Sequence, residues 1–343
     1  MVITLHYMGH GGALGSTEFL STNFFISNLF ESFSIYAVDI YVLISAYFMC
    51  KSSINLKQIL KIWMQVVSYT VGIYVLISIL GIAKFELKTL IKMFTPIISN
   101  QYEFVTAYII LIIFSPYLNK LISSLSKVEF KRLIIKIVLI FVIFGSYFKI
   151  SQITYSYLST FIVLYFIGAY IRNYVKIDEK NRMKYLAIYI ICSAMIFIGR
   201  LVMIYLGKNH FASLLLSYNN VLVILGALGL FMFMKSISIK SKFINNISLI
   251  TFGVFLIHDN PYIRSILYTS ILHTNRWYYS IWFIVVAIIS IIGVFISCAI
   301  IEQVRIKIFE MLNIVDNVYN SIIFLVNKFK KNYISIYNIQ DIV

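Results

Sequence analysis

Residues 279–301 read Tyr-Ser-Ile-Trp-Phe-Ile-Val-Val-Ala-Ile-Ile-Ser-Ile-Ile-Gly-Val-Phe-Ile-Ser-Cys-Ala-Ile-Ile, with no charged side chain. A helix needs roughly 20 mostly apolar residues to cross the hydrocarbon of a bilayer, and this run supplies them. Comparable apolar runs lie near 30–50, 60–82, 104–119, 133–149, 155–171, 185–206, 216–234 and 244–261. Polar residues collect in the breaks, from Lys51 to Lys57, Lys120 to Arg132, Arg172 to Lys184 and Lys235 to Lys242. The 343-residue chain is 61% hydrophobic and 12% charged, against roughly 25% charged in soluble domains. The expected fold class is all-α, a polytopic membrane helix bundle of about ten transmembrane helices. Met1 to Met8 is apolar but too short to span, and it lacks the basic n-region of a signal peptide. It reads as the outer end of a first helix truncated in this chain.

The net charge of +16 does not point to nucleic acid. The cations sit between apolar runs, not on one basic face. With the N-terminus cytoplasmic, the positive-inside rule places most of the 29 Lys and Arg residues on the cytoplasmic side, and with them the C-terminal tail. The outer side keeps Lys84, Lys88, Lys92, Lys149, Arg200, Lys208, Arg264 and Arg276. The expected setting is a multi-pass protein of the plasma membrane, with a spanning domain over 1–310 and a basic tail over 311–343. In that tail Val315, Val318, Ile322, Val326 and Phe329 recur at helical spacing beside Lys328, Lys330 and Lys331, the pattern of an interfacial amphipathic helix. Cys50, Cys192 and Cys298 lie in apolar runs without ligand or disulfide spacing. No metal site is expected.

This topology gathers all five histidines (His6, His10, His210, His258 and His273) toward the outer half. Histidine is the side chain suited to proton transfer near neutral pH, so acid–base chemistry is expected there. His6 ends an apolar stretch followed by Gly9, Gly11 and Gly12, and His10 stands one turn further on. Asp39 falls inside the run 30–50, where a carboxylate costs roughly 3 kcal/mol unless it faces a polar interior. His258-Asp259-Asn260-Pro261 closes another run, with Arg264 beyond it. Adjacent helical residues point about 100° apart, so His258 and Asp259 are not expected to face one point. Glu103 marks an outer mouth, Ser115-Pro116 a helix kink or end, and Arg200 either a partnered or a snorkelling cation. On the cytoplasmic side Lys51, Lys57 and Lys61 suit the phosphates of a donor, although topological anchoring also accounts for them.

Taken in order, these runs resemble the acyltransferase 3 family, the bacterial membrane O-acetyltransferases of surface polysaccharides. The resemblance is carried by Ile3-Thr4-Leu5-His6-Tyr7, by Tyr41-Val42-Leu43-Ile44-Ser45-Ala46-Tyr47-Phe48, and by Val105-Thr106-Ala107-Tyr108 continuing to Ser115-Pro116-Tyr117-Leu118-Asn119. Leu164 to Arg172 and Thr251 to Arg264 complete it, so that it covers about residues 1–310. The sequence departs from the family pattern at Ala46, where the family has glycine, and at Glu103, where an aromatic is usual. The family's arginine about ten residues before the first-helix histidine has no counterpart here.

The resemblance implies a ten-helix bundle with acetyl-CoA as cytoplasmic acyl donor and no bound cofactor. It implies a hydroxyl of a cell-surface polysaccharide or lipid-linked oligosaccharide as acceptor, and His6 as the catalytic histidine. Asp39 and His258 are then candidates to orient His6 or to contact the sugar. Lys51, Lys57 and Lys61 are candidates for the donor, and Glu103 and Arg264 for substrate. A polysaccharide transporter or polymerase fits the polytopic shape as well, but it calls for a long outer loop rich in arginine, and the outer loops here are short. An inactive truncated family member is the remaining reading.

Overall fold

The structure is a computed structural model, and it describes residues 1–145 and 156–337, with side chains to residue 328. Among these residues every regular element is a helix. The principal ones are α1 (Val2–Gly9), α2 (Thr22–Ser34), α3 (Ala37–Met49), α4 (Leu56–Ile79), α5 (Glu103–Ser124), α6 (Lys127–Val138), α7 (Tyr157–Tyr174), α8 (Arg182–Tyr205), α9 (Val221–Lys235), α10 (Lys242–His258), α11 (Phe283–Met311) and α12 (Ile314–Tyr337). Five stretches are long and apolar enough to cross a membrane: Thr22–Met49, Leu56–Ile79, Glu103–Ser124, Glu179–Tyr205 and Phe283–Met311. Val221–Lys235 and Lys242–His258 are shorter apolar helices.

Helix ends fall where the sequence supplies caps. Asn55 with Gln58, and Ser126 with Glu129, form reciprocal capping boxes that open α4 and α6. Asn220 caps α9 through the Leu222 amide, which moves that helix start in from the apolar run beginning near 216. The run near 133–149 is helical from Lys127 and passes into a π-helical turn over Leu139–Phe144; its end, Lys149 included, lies outside the described residues. In the tail Asn313 takes a positive φ of 48° between α11 and α12. Val315, Val318 and Ile322 are half-buried there, while Phe329, Lys330 and Lys331 lie beyond the described side chains.

Of the two readings of Ser115-Pro116, a kink or a helix end, the end is excluded, and the end of the last apolar run also moves. Pro116 lies inside α5, which continues to Ser124. Proline cannot donate to the carbonyl four residues back, and the Ser115 hydroxyl donates to that carbonyl, Ile112 O, at 2.8 Å. The apolar run ending at 301 extends as helix to Met311. Glu302, fully buried, accepts from Gln65 at 2.9 Å, from the Tyr69 hydroxyl, and from Arg305 at 2.5 and 2.8 Å. A carboxylate paired in this way does not need to leave the bundle.

One core joins α3, α5, α6, α7, α8 and α9, and a second joins α4, α5, α10 and α11. A third, smaller one seats α1 against Tyr268, Phe283 and Ala287. Small residues set the closest crossings. A Cβ on Gly168 of α7 would stand 2.8 Å from the Ala46 methyl of α3 and 3.1 Å from Leu43 O. The alanine that departs from the family pattern is thus accommodated by a glycine on the facing helix. Away from these cores, Ile191 and Ile198 of α8 and Ile289, Ile292, Ile296 and Ile300 of α11 are exposed. Rows of bare isoleucine are stable against lipid tails, and α-helices satisfy the backbone there. The protein is a helical membrane protein.

The bundle has two chemically distinct ends. At one, Arg172 donates to the Tyr47 hydroxyl at 2.9 Å and lies over its ring with Lys235, and Lys51 and Lys57 are nearby in sequence. At the other are the histidines of α1 and α10.

Candidate functional site

The histidine end is built on two fixed turns. After α1 the chain reverses through Gly11 and Gly12. A Cβ on Gly11 would collide with Tyr7 O, and Gly12 has φ +79° with its Cβ position against the Tyr278 hydroxyl, so both positions need glycine. The hydroxyls of Thr274 and Tyr278 both donate to Gly11 O, which ties this turn to the 274–278 segment. The second turn ends α10. Asn260 Oδ1 accepts from the Tyr262 amide at 3.0 Å, and its amide nitrogen donates to the Tyr102 hydroxyl at 2.9 Å. Tyr102 in turn donates to Leu256 O at 2.7 Å.

These turns bring His6, His258 and Asp259 together. His6 Nδ1 lies 2.9 Å from His258 Nε2 and 3.6 Å from Asp259 Oδ1. Asp259 Oδ1 is also 3.3 Å from His10 Nε2 and 3.8 Å from Arg264 Nη1. The expectation that His258 and Asp259 cannot face one point is therefore corrected. Asp259 is the residue after the last helical one, with φ −96° and ψ 5°, so the 100° helical offset does not apply to it.

The hydrogen bonds define the tautomers of the neutral rings. His258 Nδ1 lies 2.6 Å from Val254 O. A carbonyl only accepts, so His258 Nδ1 carries the proton and its Nε2 accepts. His6 Nδ1 must then be the donor, which leaves the lone pair of His6 on Nε2. His258 is almost fully buried and fixes this tautomer of His6.

His6 lines a cavity of about 770 Å³ together with His10, Glu31, Tyr41, Glu103, Phe252, Phe255, Tyr218, Asp259 and Arg264. Of the expected site residues, His6, Glu103 and Arg264 reach this cavity, and His258 stands behind His6. Glu103 opens α5, where a carboxylate complements the helix dipole. Asp39 is fully buried, neither of its carboxylate oxygens has a hydrogen-bond partner among the described residues, and it does not line the cavity. Its neighbours Val38 and Tyr41 do. Lys51, Lys57 and Lys61 are exposed and lie apart from the cavity; Lys57 is ion-paired with Asp316 of α12. Arg200 does not snorkel. It is 5% exposed and donates to Asn28 Oδ1 at 3.1 and 3.2 Å and to Ala212 O at 2.8 Å.

Asp259, Glu31 and the Asn260–Tyr102 brace are what sequence reading did not assign. Glu31 lines the cavity, with one carboxylate oxygen unpartnered among the described residues. The signal that singled out Asp39, a carboxylate near an apolar run, applies equally to Glu31.

No curated protein and no solved structure gives a match to this chain. A family model described as an acyltransferase domain, Acyl_transf_3, matches residues 1–302. With most of the chain covered and a membrane helix bundle as its fold, this protein belongs to the acyltransferase 3 family and is a membrane acyltransferase.

Proposed function

We propose that the protein moves an acetyl group from acetyl-CoA, arriving at the cation-rich end, to a hydroxyl of a cell-surface polysaccharide or lipid-linked sugar in the histidine-lined cavity. The observation that carries this reading is the chain Val254 O, His258, His6, which leaves a lone pair on His6 Nε2 beside a cavity large enough for a sugar. In this reading the cation-rich end faces the cytoplasm, where positive charge suits nucleotide phosphates.

His6 Nε2 takes the hydroxyl proton as the sugar oxygen attacks the thioester carbonyl. The new C–O bond forms, the tetrahedral intermediate collapses with cleavage of the C–S bond, and the leaving thiolate recovers the proton from His6. Asp259, 3.6 Å from His6 Nδ1, stabilises the imidazolium formed between these steps. Tyr41 and Tyr218 at the cavity wall offer hydroxyls and ring faces to a sugar. Lys51 and Lys61, without an ion pair among the described residues, would meet the donor phosphates, and Arg172 and Lys235 around Tyr47 add cations at the same end. Asp39 stands outside the cavity, beside Val38 and Tyr41, which line it.

The test is His6→Ala in the full chain. Transfer of labelled acetyl from acetyl-CoA to surface polysaccharide should fall by about 10²–10⁴-fold, the contribution of a general base, with the variant at wild-type level in the membrane. Undiminished O-acetylation by the folded variant would rule out His6, and its absence from the wild-type polysaccharide would rule out the acceptor.

A further inference from the structure

The residues around Asp259 carry a second chemistry. His6, His10 and Asp259 each offer a ligand atom, and these atoms lie within 4.8 Å of one another. Asp259 Oδ1 stands 3.3 Å from His10 Nε2 and 3.6 Å from His6 Nδ1. A tetrahedral zinc ion with bonds of about 2.0–2.1 Å holds its ligand atoms about 3.3–3.4 Å apart. Both measured edges are therefore within a few tenths of an ångström of a bound geometry.

The same Oδ1 is buried between two imidazoles, and its contacts to them, 3.3 Å to His10 and 3.6 Å to His6, are longer than a well-made hydrogen bond. Buried oxygens of this kind are rare and call for an explanation. The ligands also sit on supports that do not depend on an ion. Thr274 and Tyr278 hold the turn that carries His10, and Asn260 with Tyr102 holds the turn that carries Asp259.

We propose that His6, His10 and Asp259 form a binding site for Zn²⁺. Two imidazoles and one carboxylate suit zinc and disfavour Mg²⁺ and Ca²⁺, which prefer all-oxygen sites. Three protein ligands leave the fourth position to water. Arg264, 3.8 Å from Asp259 Oδ1, is the cation that opposes the ion among the described groups facing this carboxylate. Its side chain is 41% exposed and has solvent to turn into.

The consequence, which rests on the acyl-transfer reading, is inhibition. Zinc on His6 Nε2 occupies the lone pair directly. Zinc on Nδ1 requires the Nδ1 proton to move to Nε2, which opens the bond to His258 and protonates the atom that would accept the sugar's proton. With either nitrogen bound, His6 ceases to be a base.

The experiment is a titration of the purified full chain in detergent, stripped with chelator, with Zn²⁺ by calorimetry and with Co²⁺ by visible absorption. One equivalent should bind. His10→Ala should weaken it by at least about tenfold with its metal-free thermal unfolding intact, and His210→Ala, outside the cluster, should bind as the wild type does. No binding to the wild type, or binding untouched by His10→Ala, overturns the site. Because this titration reads binding directly, it decides the site even if the chain transfers no acetyl group. In a transferring preparation, zinc should suppress the rate, and chelator should restore it.

Discussion

At the scale of single residues, the informative group is His258, a buried imidazole with both ring nitrogens engaged. Its Nδ1–H is committed to Val254 O and its Nε2 to His6. Replacing it with phenylalanine keeps the apolar contacts and removes the acceptor that fixes the His6 ring. Loss of orientation of this kind costs about 10²-fold in rate. His258→Phe should therefore lower kcat for acetyl transfer, with KM for the sugar little changed. A steady-state comparison checks this, and a rise in KM alone would instead make His258 part of the substrate surface.

Single helices in this protein survive polar and helix-breaking residues by satisfying them locally. In α5 the Ser115 hydroxyl occupies the carbonyl that Pro116 leaves open. Ser115→Ala should destabilise the protein by about 1–3 kcal/mol, the cost of an orphaned buried acceptor. The double variant Ser115→Ala/Pro116→Ala should recover most of that loss, because alanine in place of the proline brings an N–H to Ile112 O. Thermal unfolding of the four proteins of this cycle in detergent reads the effect. Additive losses would mean that Ile112 O was never the issue. In α11 the helix runs on through Glu302 because Arg305 one turn on and Gln65 and Tyr69 of α4 enclose its carboxylate, which leaves no room for a Cβ on Gly253.

Across the whole molecule, the separation of chemistry into a histidine end and a cation end is what the proposed transfer between two compartments requires. In the proposed orientation Lys120 lies in the cytoplasm and Arg276 outside. Single cysteines introduced at these positions, in a background lacking Cys50, Cys192 and Cys298, should react with an impermeant maleimide from opposite sides of the membrane. Arg276→Cys should label in intact cells, and Lys120→Cys only after permeabilisation. The reverse pattern would place His6 in the cytoplasm and remove the proposed acceptor.

Much of this architecture was legible in the order of residues, because a bilayer admits few solutions. Apolar runs of spanning length, with cations in the breaks, can only be helices stacked across lipid. The family resemblance carried by His6, the Ser45-Ala46 run and the Thr251 to Arg264 run extends over nearly the same residues as the matched domain. Periodicity could not say that Asp259 turns back to His6, because that depends on where α10 stops and on Asn260 and Tyr102 meeting from separate helices. Nor could it say that Asp39 stays out of the cavity while Glu31 enters it, that Lys57 is taken by Asp316, or that Arg200 is bonded inside the bundle. Sequence alone determines which residues must leave water, since that is a property of each side chain. Which polar groups then meet is decided by the packing of helices distant in the chain, and only the tertiary structure contains it.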